Sequence, residues 1–514
     1  MVKLLGVFNN KFGKQIHTFF DSPKLPVAIL FFSLLVRLVQ YLSNRSLWAD
    51  EAVLALNIVN RSYLELLQPL DYNQAAPIGF LMVEKLAVQL FGNHEYSLRL
   101  FPFVSSLVSL LLFYKLARQC LRPKAILIAL SLFGSLNYLV YYSSEVKQYS
   151  SDVLVALMLC LFSIQLTVKK QTLTKVVLLG VVGIIAIWFS HPAIFVVVGM
   201  TTSSLFRLIK SKREVKHTLV VAATYLSWLL SFLAFYFLSL KKLNNNQDLM
   251  ESWRSAFPSN PFDINWLLEK LLKLFINPLG FNELLAGVAI IAFICGCVSM
   301  FTRKREFFAL LLSPLFFTVL AAYLHKYPFR NRLLLFLSPF LILLIAEGAM
   351  YIWQKAYCKR FSLLGAVFLL LLLTPPLANA SYLLVKPYVR EEISPVISYV
   401  KNHQQPEDIL YIFQRGEYQF KYYASQYGYQ PQDYIIGVDD LEDGKTVSPA
   451  EWQRYRNDLD GLRGNNRVWI IFSHTAKVPE EEQRIISYLN QIGKPVDFFE
   501  KPGSFVYLYN LSLN

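Results

Sequence analysis

Residues 26–52 read PVAILFFSLLVRLVQYLSNRSLWADEA. Apart from Ser33, Arg37 and Gln40, the stretch 26–42 is apolar. A helix of that length approaches the ~17–25 residues needed to cross the hydrocarbon of a bilayer. No small-residue cleavage site follows closely, so this first segment is expected to remain as an anchor. Two adjacent carboxylates, Asp50 and Glu51, come a few residues beyond it. The same pattern of apolar run and charged loop recurs along the chain. Spanning segments are expected near 26–42, 100–117, 125–142, 152–168, 176–190, 192–209, 218–240, 283–302, 306–324, 332–353 and 361–380. The stretch 176–209 is too long for one crossing, and Ser190-His191-Pro192 divides it.

Composition agrees. The chain has 514 residues, of which 55% are hydrophobic and 40 are Phe, and a mean hydropathy of +0.39. A soluble core could not hide so much apolar surface. Five Cys do not make a disulfide framework. Low Gly and Pro contents exclude collagen-like and disordered classes.

The net charge of +15 depends for its meaning on where the charges lie. The N-terminal tail carries Lys3, Lys11, Lys14 and Lys24. Alternate loops carry the basic groups 115–124, 169–175, 207–216, 303–305 and 355–360. With eleven crossings all of these share one face, which the positive-inside bias makes cytoplasmic. Residues 1–380 then hold 36 Lys and Arg against 17 Asp and Glu, and residues 381–514 hold 14 against 18. The basic excess is an orientation signal, and a nucleic-acid partner is not expected.

The fold class expected is therefore an α-helical polytopic membrane protein with about eleven transmembrane helices over 1–380. It has a long first outer loop at 43–99 and an extracytoplasmic α/β domain at 381–514. In that tail, Ser394-Pro395 and Ser448-Pro449 predict helix starts. Asp408–Phe413, Asp433–Val438, Arg467–Ser473 and Ser504–Tyr509 predict strands, and Pro479–Ile492 an amphipathic helix. His403 and His474 read as surface or strand-end residues. The tail has no GxGxxG, Walker loop, GxSxG or zinc-spaced Cys/His cluster.

Candidate chemistry lies in the outer loops. Asp50 and Glu51 have two readings: a hydrated N-cap with Asp50 capping a helix over Ala52–Asn60, or a general base beside the membrane. Arg37, in the first span, could pair with them. Apolar residues at helical spacing over 78–91 predict a helix lying in the interface. Glu145, Tyr149 and Asp152 follow at i, i+4 and i+7, which would place them on one helical face, with Lys147 elsewhere. The alternative there is an interfacial aromatic belt. Lys326, Arg330 and Arg332 are outer cations against the positive-inside bias. They serve either to snorkel to lipid phosphates or to grip a particular phosphate, for which Arg is well shaped.

At these residues the chain resembles the GT-C superfamily of membrane glycosyltransferases, in the family 39-like branch of protein O-mannosyltransferases and lipid A aminoarabinose transferases. Four stretches carry the resemblance, in order over 26–350. They are an Arg-bearing first span with Leu-Trp-Ala-Asp-Glu-Ala, the stretch from Ala-Pro-Ile-Gly-Phe-Leu to Phe-Gly-Asn-His-Glu-Tyr-Ser-Leu-Arg-Leu-Phe-Pro, Ser-Ser-Glu-Val-Lys-Gln-Tyr, and Tyr-Pro-Phe-Arg-Asn-Arg-Leu. Ala76-Pro77 stands where the family has paired prolines, and Lys147 where it has Arg.

The resemblance implies sugar transfer from a polyprenyl-phosphate donor to a glycan, lipid or protein hydroxyl, on the outer face of the plasma (inner) membrane, with inversion. It implies Asp50 as base with Glu51 in support, and Glu145 orienting acceptor or sugar. Lys147, Lys326, Arg330 and Arg332 would hold the donor phosphate, and Trp48, Tyr149 and Asp152 would contact substrate. No metal-ligand constellation is visible, so no obligatory metal or other cofactor is expected. A transporter or flippase of a lipid-linked sugar is the alternative. It would call for charges deep in several spans and a two-half repeat, and neither is evident.

Overall fold

The computed structural model describes residues 23–168, 172–210, 215–241, 251, 253–358, 361–438, 447–475 and 479–512. Lys3, Lys11, Lys14, Lys169, Lys170, Lys212, Arg213, Lys359 and Arg360, used above for orientation, lie outside them. Two compact units emerge. One takes the chain up to Ser43 with Ser62–Gly92 and Tyr96–Pro387; the other takes Asn44–Arg61, Asn93–Glu95 and Tyr388–Asn514.

The first unit is helical. Among the described residues, eight helices are long and apolar enough to cross a membrane: Leu25–Leu42, Glu95–Cys120, Tyr149–Leu166, Thr218–Ser239, Glu283–Arg303, Arg305–Tyr323, Asn331–Tyr357 and Ser362–Leu383. A ninth position is a pair bent by 58°, Pro123–Ser135 with Asn137–Ser144, and two shorter apolar helices begin at Leu173 and Ala193. These occupy the eleven expected positions. Phe31, Leu111, Leu178, Leu230, Phe316 and Leu370 are exposed. Apolar side chains turned outward over whole helices belong in lipid, where each helix satisfies its own backbone.

The helix through Ser338–Cys358 is the buried centre of this unit. It meets Glu283–Arg303 at two glycines. A Cβ on Gly348 would stand 1.7 Å from the Ala292 carbonyl oxygen, and one on Gly296 would stand 1.8 Å from that of Leu344. Small residues permit this backbone approach. Beside them the buried Glu347 accepts from Ser299 (2.9 Å) and pairs with Arg122 (3.1 Å) and Arg303.

Arg37 does not pair with Asp50 or Glu51. It is buried and donates to Ser106 Oγ (2.8 Å) and to the carbonyls of Ser33, Gly134 and Phe133. Two of those carbonyls end the helix Pro123–Ser135, where the bend leaves them without intrahelical donors. The guanidinium supplies donors that lipid cannot.

In the second unit a five-stranded sheet has the order β2-β1-β3-β5-β4. The strands are β1 Ile409–Ile412, β2 Ile435–Ile436, β3 Val468–Ser473, β4 Lys494–Lys501 and β5 Ser504–Asn510. β1 is parallel to β2 and β3, and β3, β5 and β4 are antiparallel. β3 is buried throughout. The helices Pro449–Asp460 and Pro479–Ile492 belong to this unit, the former capped by Ser448 in a capping box with Glu451. The helix expected at Ser394 starts instead at Ile393, after Glu392. β4 is an addition to the expected strands.

Candidate functional site

The expected site residues divide between the units, and each set has its own geometry.

In the membrane unit, the stretch 142–152 is a turn before it is a helix. Tyr142–Ser144 is one 3-10 turn, Glu145 is extended (φ −116°, ψ 141°), and the helix begins at Tyr149. Glu145, Tyr149 and Asp152 therefore do not share one helical face. Serine side chains are the reason: Ser143 Oγ donates to Val140 O, Ser150 Oγ to Tyr142 O and Ser151 Oγ to Gln148 O. Such local bonds compete with the helical ladder. All four of Glu145, Lys147, Tyr149 and Asp152 are nonetheless buried. Lys147 Nζ donates to Gln74 Oε1 at 2.7 Å, which ties this turn to the residues preceding the helix Ile78–Phe91.

The segment 326–332 meets the same turn. The Arg332 guanidinium lies 5.6 Å from the Tyr149 ring centre. Tyr327 neighbours Asp152, and burial, with that carboxyl adding, pushes its phenol well above the ordinary value. Ser190 lies beside Asp152 from the turn that divides 176–209. Lys326 and Arg330 are exposed, and Arg332 is half-buried. Lys270, on the helix Ile264–Ile276, neighbours Arg330. Burial pushes its ammonium below the ordinary lysine value; Glu269 opposes this, and Lys273 and Arg330 add to it. Sequence reading did not select Gln74, Ser190, Tyr327 or Lys270. Lys270 was readable as a further cation in a loop expected on the outer face; the others carry no signal apart from their neighbours in space.

In the second unit, the helix bearing Asp50 runs over Ala49–Asn60. Asp50 is thus inside the first turn and is not its cap. Glu51 is fully buried; its Oε1 is 3.9 Å from Arg45 and its Oε2 accepts from the Trp48 N–H at 3.4 Å. Asp50 keeps partial exposure. Trp48 is buried, with the Arg390 guanidinium 3.6 Å from its ring centre and His474 at 6.3 Å.

The segment before this helix is held throughout by groups of the tail. Ser46 N–H and Oγ donate to Glu392. Leu47 N–H donates to Tyr423 Oη at 2.8 Å, and its carbonyl accepts from Gln419. Ala49 N–H donates to Glu391 Oε2 at 3.1 Å. Glu391 also accepts from Gln419 Nε2 (2.9 Å) and shares a 2.8 Å hydrogen bond with His474 Nδ1. Tyr423 Oη donates to Glu95 at 2.7 Å, and burial, with Glu95 adding, keeps that phenol protonated. Among the described residues no three His, Cys, Asp or Glu side chains cluster so as to hold a metal ion.

Residues 75–239 match the dolichyl-phosphate-mannose-protein mannosyltransferase family. That span contains Glu145, Lys147, Tyr149 and Asp152 but neither Asp50 nor 326–332. No curated protein matches the chain. Among solved structures, the apo oligosaccharyltransferase of Archaeoglobus fulgidus aligns with a TM-score of 0.52 at 11% identity, over 95% of this chain and 74% of that one. ArnT from Cupriavidus metallidurans bound to undecaprenyl phosphate aligns at 0.49 and 12% identity, over 96% and 99%. The chain is thus similar to that mannosyltransferase family over residues 75–239 and to the oligosaccharyltransferase in its fold.

Proposed function

We propose that the protein transfers a sugar from a polyprenyl-phosphate donor to an acceptor hydroxyl at the outer face of the plasma membrane, with inversion and with Asp50 as the base. The cytoplasmic side holds the N-terminus, and residues 381–514 lie outside. The observation that carries the base assignment is the contrast within Asp50-Glu51. Glu51 is fully buried and committed to Arg45 and the Trp48 amide, while Asp50 is only half-buried on the first turn of the helix, with its Oδ2 enclosed.

In the proposed step the Asp50 carboxylate takes the acceptor proton as the hydroxyl oxygen attacks the anomeric carbon. The bond from that carbon to the phosphate oxygen breaks, and polyprenyl phosphate leaves with the electron pair. Charge then grows on the phosphate, where preorganised cations lower the barrier. Lys147 and Arg332 fit that role by burial, with Lys326 and Arg330 nearer solvent. Glu145 and Asp152 orient sugar or acceptor, and Tyr149 and Trp48 are assigned contacts with sugar or lipid. None of this chemistry calls on a metal.

The test is a strain lacking the gene, complemented at matched protein level. Mass spectrometry of its lipid-linked sugars and surface glycans identifies donor and acceptor. Asp50→Asn should lower the rate of glycan labelling ~10²- to 10⁴-fold, the usual contribution of a general base. An Asp50→Asn protein that labels at the native rate would end the base assignment.

A further inference from the structure

Four consecutive residues, Ser46 to Ala49, have backbone or side-chain groups held by the tail 342 to 376 positions later. The last of these contacts is unusual. The first N–H groups of a helix lack intrahelical acceptors, and a capping side chain on the preceding residue commonly meets that of the second or third helical residue rather than the first. Trp48 has no such oxygen. The acceptor for Ala49 N–H is instead the carboxylate of Glu391. Asp50 is the next residue, so the start of its helix is set by a tail carboxylate.

We infer that Glu391 is a positioning residue for Asp50, and that the C-terminal domain takes part in the reaction by fixing where the base stands. The inference rests on the base assignment proposed above. Glu391 is itself held. It is buried, with Gln419 Nε2 on the same oxygen that receives Ala49 N–H and His474 Nδ1 on the other. Gln419 is fastened in turn by the Ser473 hydroxyl (2.8 Å) at the end of β3. The chain of bonds therefore runs from the sheet through Gln419 and Glu391 to the amide before Asp50. Tyr423 makes a parallel link, between the Leu47 amide and Glu95. A shift of about 1 Å in a reacting group can cost ~10²-fold in rate without altering ligand binding.

The experiment uses full-length variants in the complemented strain, with glycan labelling as the rate and binding of undecaprenyl phosphate to the purified protein as the donor-side probe. Glu391→Ala should lower labelling about 10- to 100-fold, while the affinity for undecaprenyl phosphate stays within twofold of native. Glu391→Gln keeps an oxygen toward Ala49 and Gln419, and should recover most of the rate. Tyr423→Phe removes one hydroxyl from the parallel link and should cost severalfold, again without a change in probe affinity. It keeps the question answerable if Glu391→Ala fails to fold.

The decisive arm is Glu391→Ala combined with Asp50→Asn. If Glu391 acts through Asp50, the double variant is no slower than Asp50→Asn alone. An equal further loss in the double variant, a loss confined to probe affinity, or native rates for both Glu391→Ala and Tyr423→Phe would each overturn the positioning role. Failure of the base assignment reads differently, as a native rate in Asp50→Asn by itself.

Discussion

Replacing Lys147 by Met removes a buried cation while keeping an unbranched side chain of similar length. Lys147 is 4% exposed and its ammonium donates to Gln74 at 2.7 Å. A polyprenyl-phosphate sugar is a phosphodiester with one negative charge, and the departing polyprenyl phosphate carries two. One unit of charge therefore develops as the bond breaks. A cation about 4 Å away in surroundings of effective dielectric about 20 interacts with a full unit by about 4 kcal/mol. Only part of that unit has formed at the transition state, so a loss of about 2–3 kcal/mol is expected, or roughly 30- to 150-fold in rate. Part of the cation's attraction for the first charge should also appear as weaker binding of undecaprenyl phosphate.

The assay is glycan labelling at matched expression, alongside probe affinity. Lys147→Arg restores the charge and should come within about fivefold of native, since Arg suits a phosphate at least as well as Lys. A Lys147→Met protein retaining more than a third of the native rate would refute the reasoning. So would Lys147→Arg falling as far as Lys147→Met, because then shape rather than charge would be decisive.

Gly348→Ala adds a methyl group 1.7 Å from the Ala292 carbonyl oxygen and 2.5 Å from the Gly296 amide nitrogen. Ala gains about 1 kcal/mol over Gly in a helix, but the two helices must separate, at ~1–3 kcal/mol or more. A shorter half-life at elevated temperature is expected, and an unchanged or longer one would show that the helices are not so close. His191, in the turn dividing 176–209, stacks on Phe235 with ring centres 5.5 Å apart, and burial pushes its pKa down to about 4. The folded state then binds fewer protons than the unfolded one between the ordinary value near 6.5 and that lower value, so stability falls as pH drops through this window. His191→Gln should flatten the change in thermal midpoint between pH 7 and pH 5; an unaltered slope would assign the acid sensitivity elsewhere.

The apolar helices at the eleven expected positions were legible because hydropathy is a one-dimensional signal, and the helix Ile78–Phe91 because its apolar residues recur at helical spacing. β4 was not, for a physical reason. It is an edge strand, largely exposed, irregular between Pro495 and Asp497, and its residues Lys494, Asp497, Glu500 and Lys501 dilute the apolar pattern. Pro502-Gly503, with Gly503 at φ +67°, was the available turn signal. At the candidate site, residue types were readable but partners were not. Arg37 looked like a counter-ion for Asp50 and Glu51, yet it serves the open carbonyls of a bent helix. Asp50 looked like an N-cap, yet its helix starts one residue earlier, at Ala49, whose amide is taken by a tail carboxylate distant in sequence. The boundary expected at residue 380 missed the same fact, since 44–61 and 93–95 group with the tail.

The cations expected on the outer face can now be told apart. Against the positive-inside bias, Lys326, Arg330 and Arg332 invited one shared explanation. Their surroundings differ. Lys326 and Arg330 are exposed, and Arg330 has Lys270 as a neighbour, so two like charges weaken one another unless an anion or counter-ion screens them. Such a pair suits lipid headgroups or the first capture of a lipid-linked phosphate, where screening by salt is strong and exchange is fast. Arg332 is half-buried over the Tyr149 ring, in a segment whose Tyr327 neighbours the buried Asp152. Its charge acts in a drier setting, where each interaction counts for more. On the proposed function, the leaving phosphate is therefore assigned to Arg332 and Lys147, and the approach of the donor to Lys326, Arg330 and Lys270.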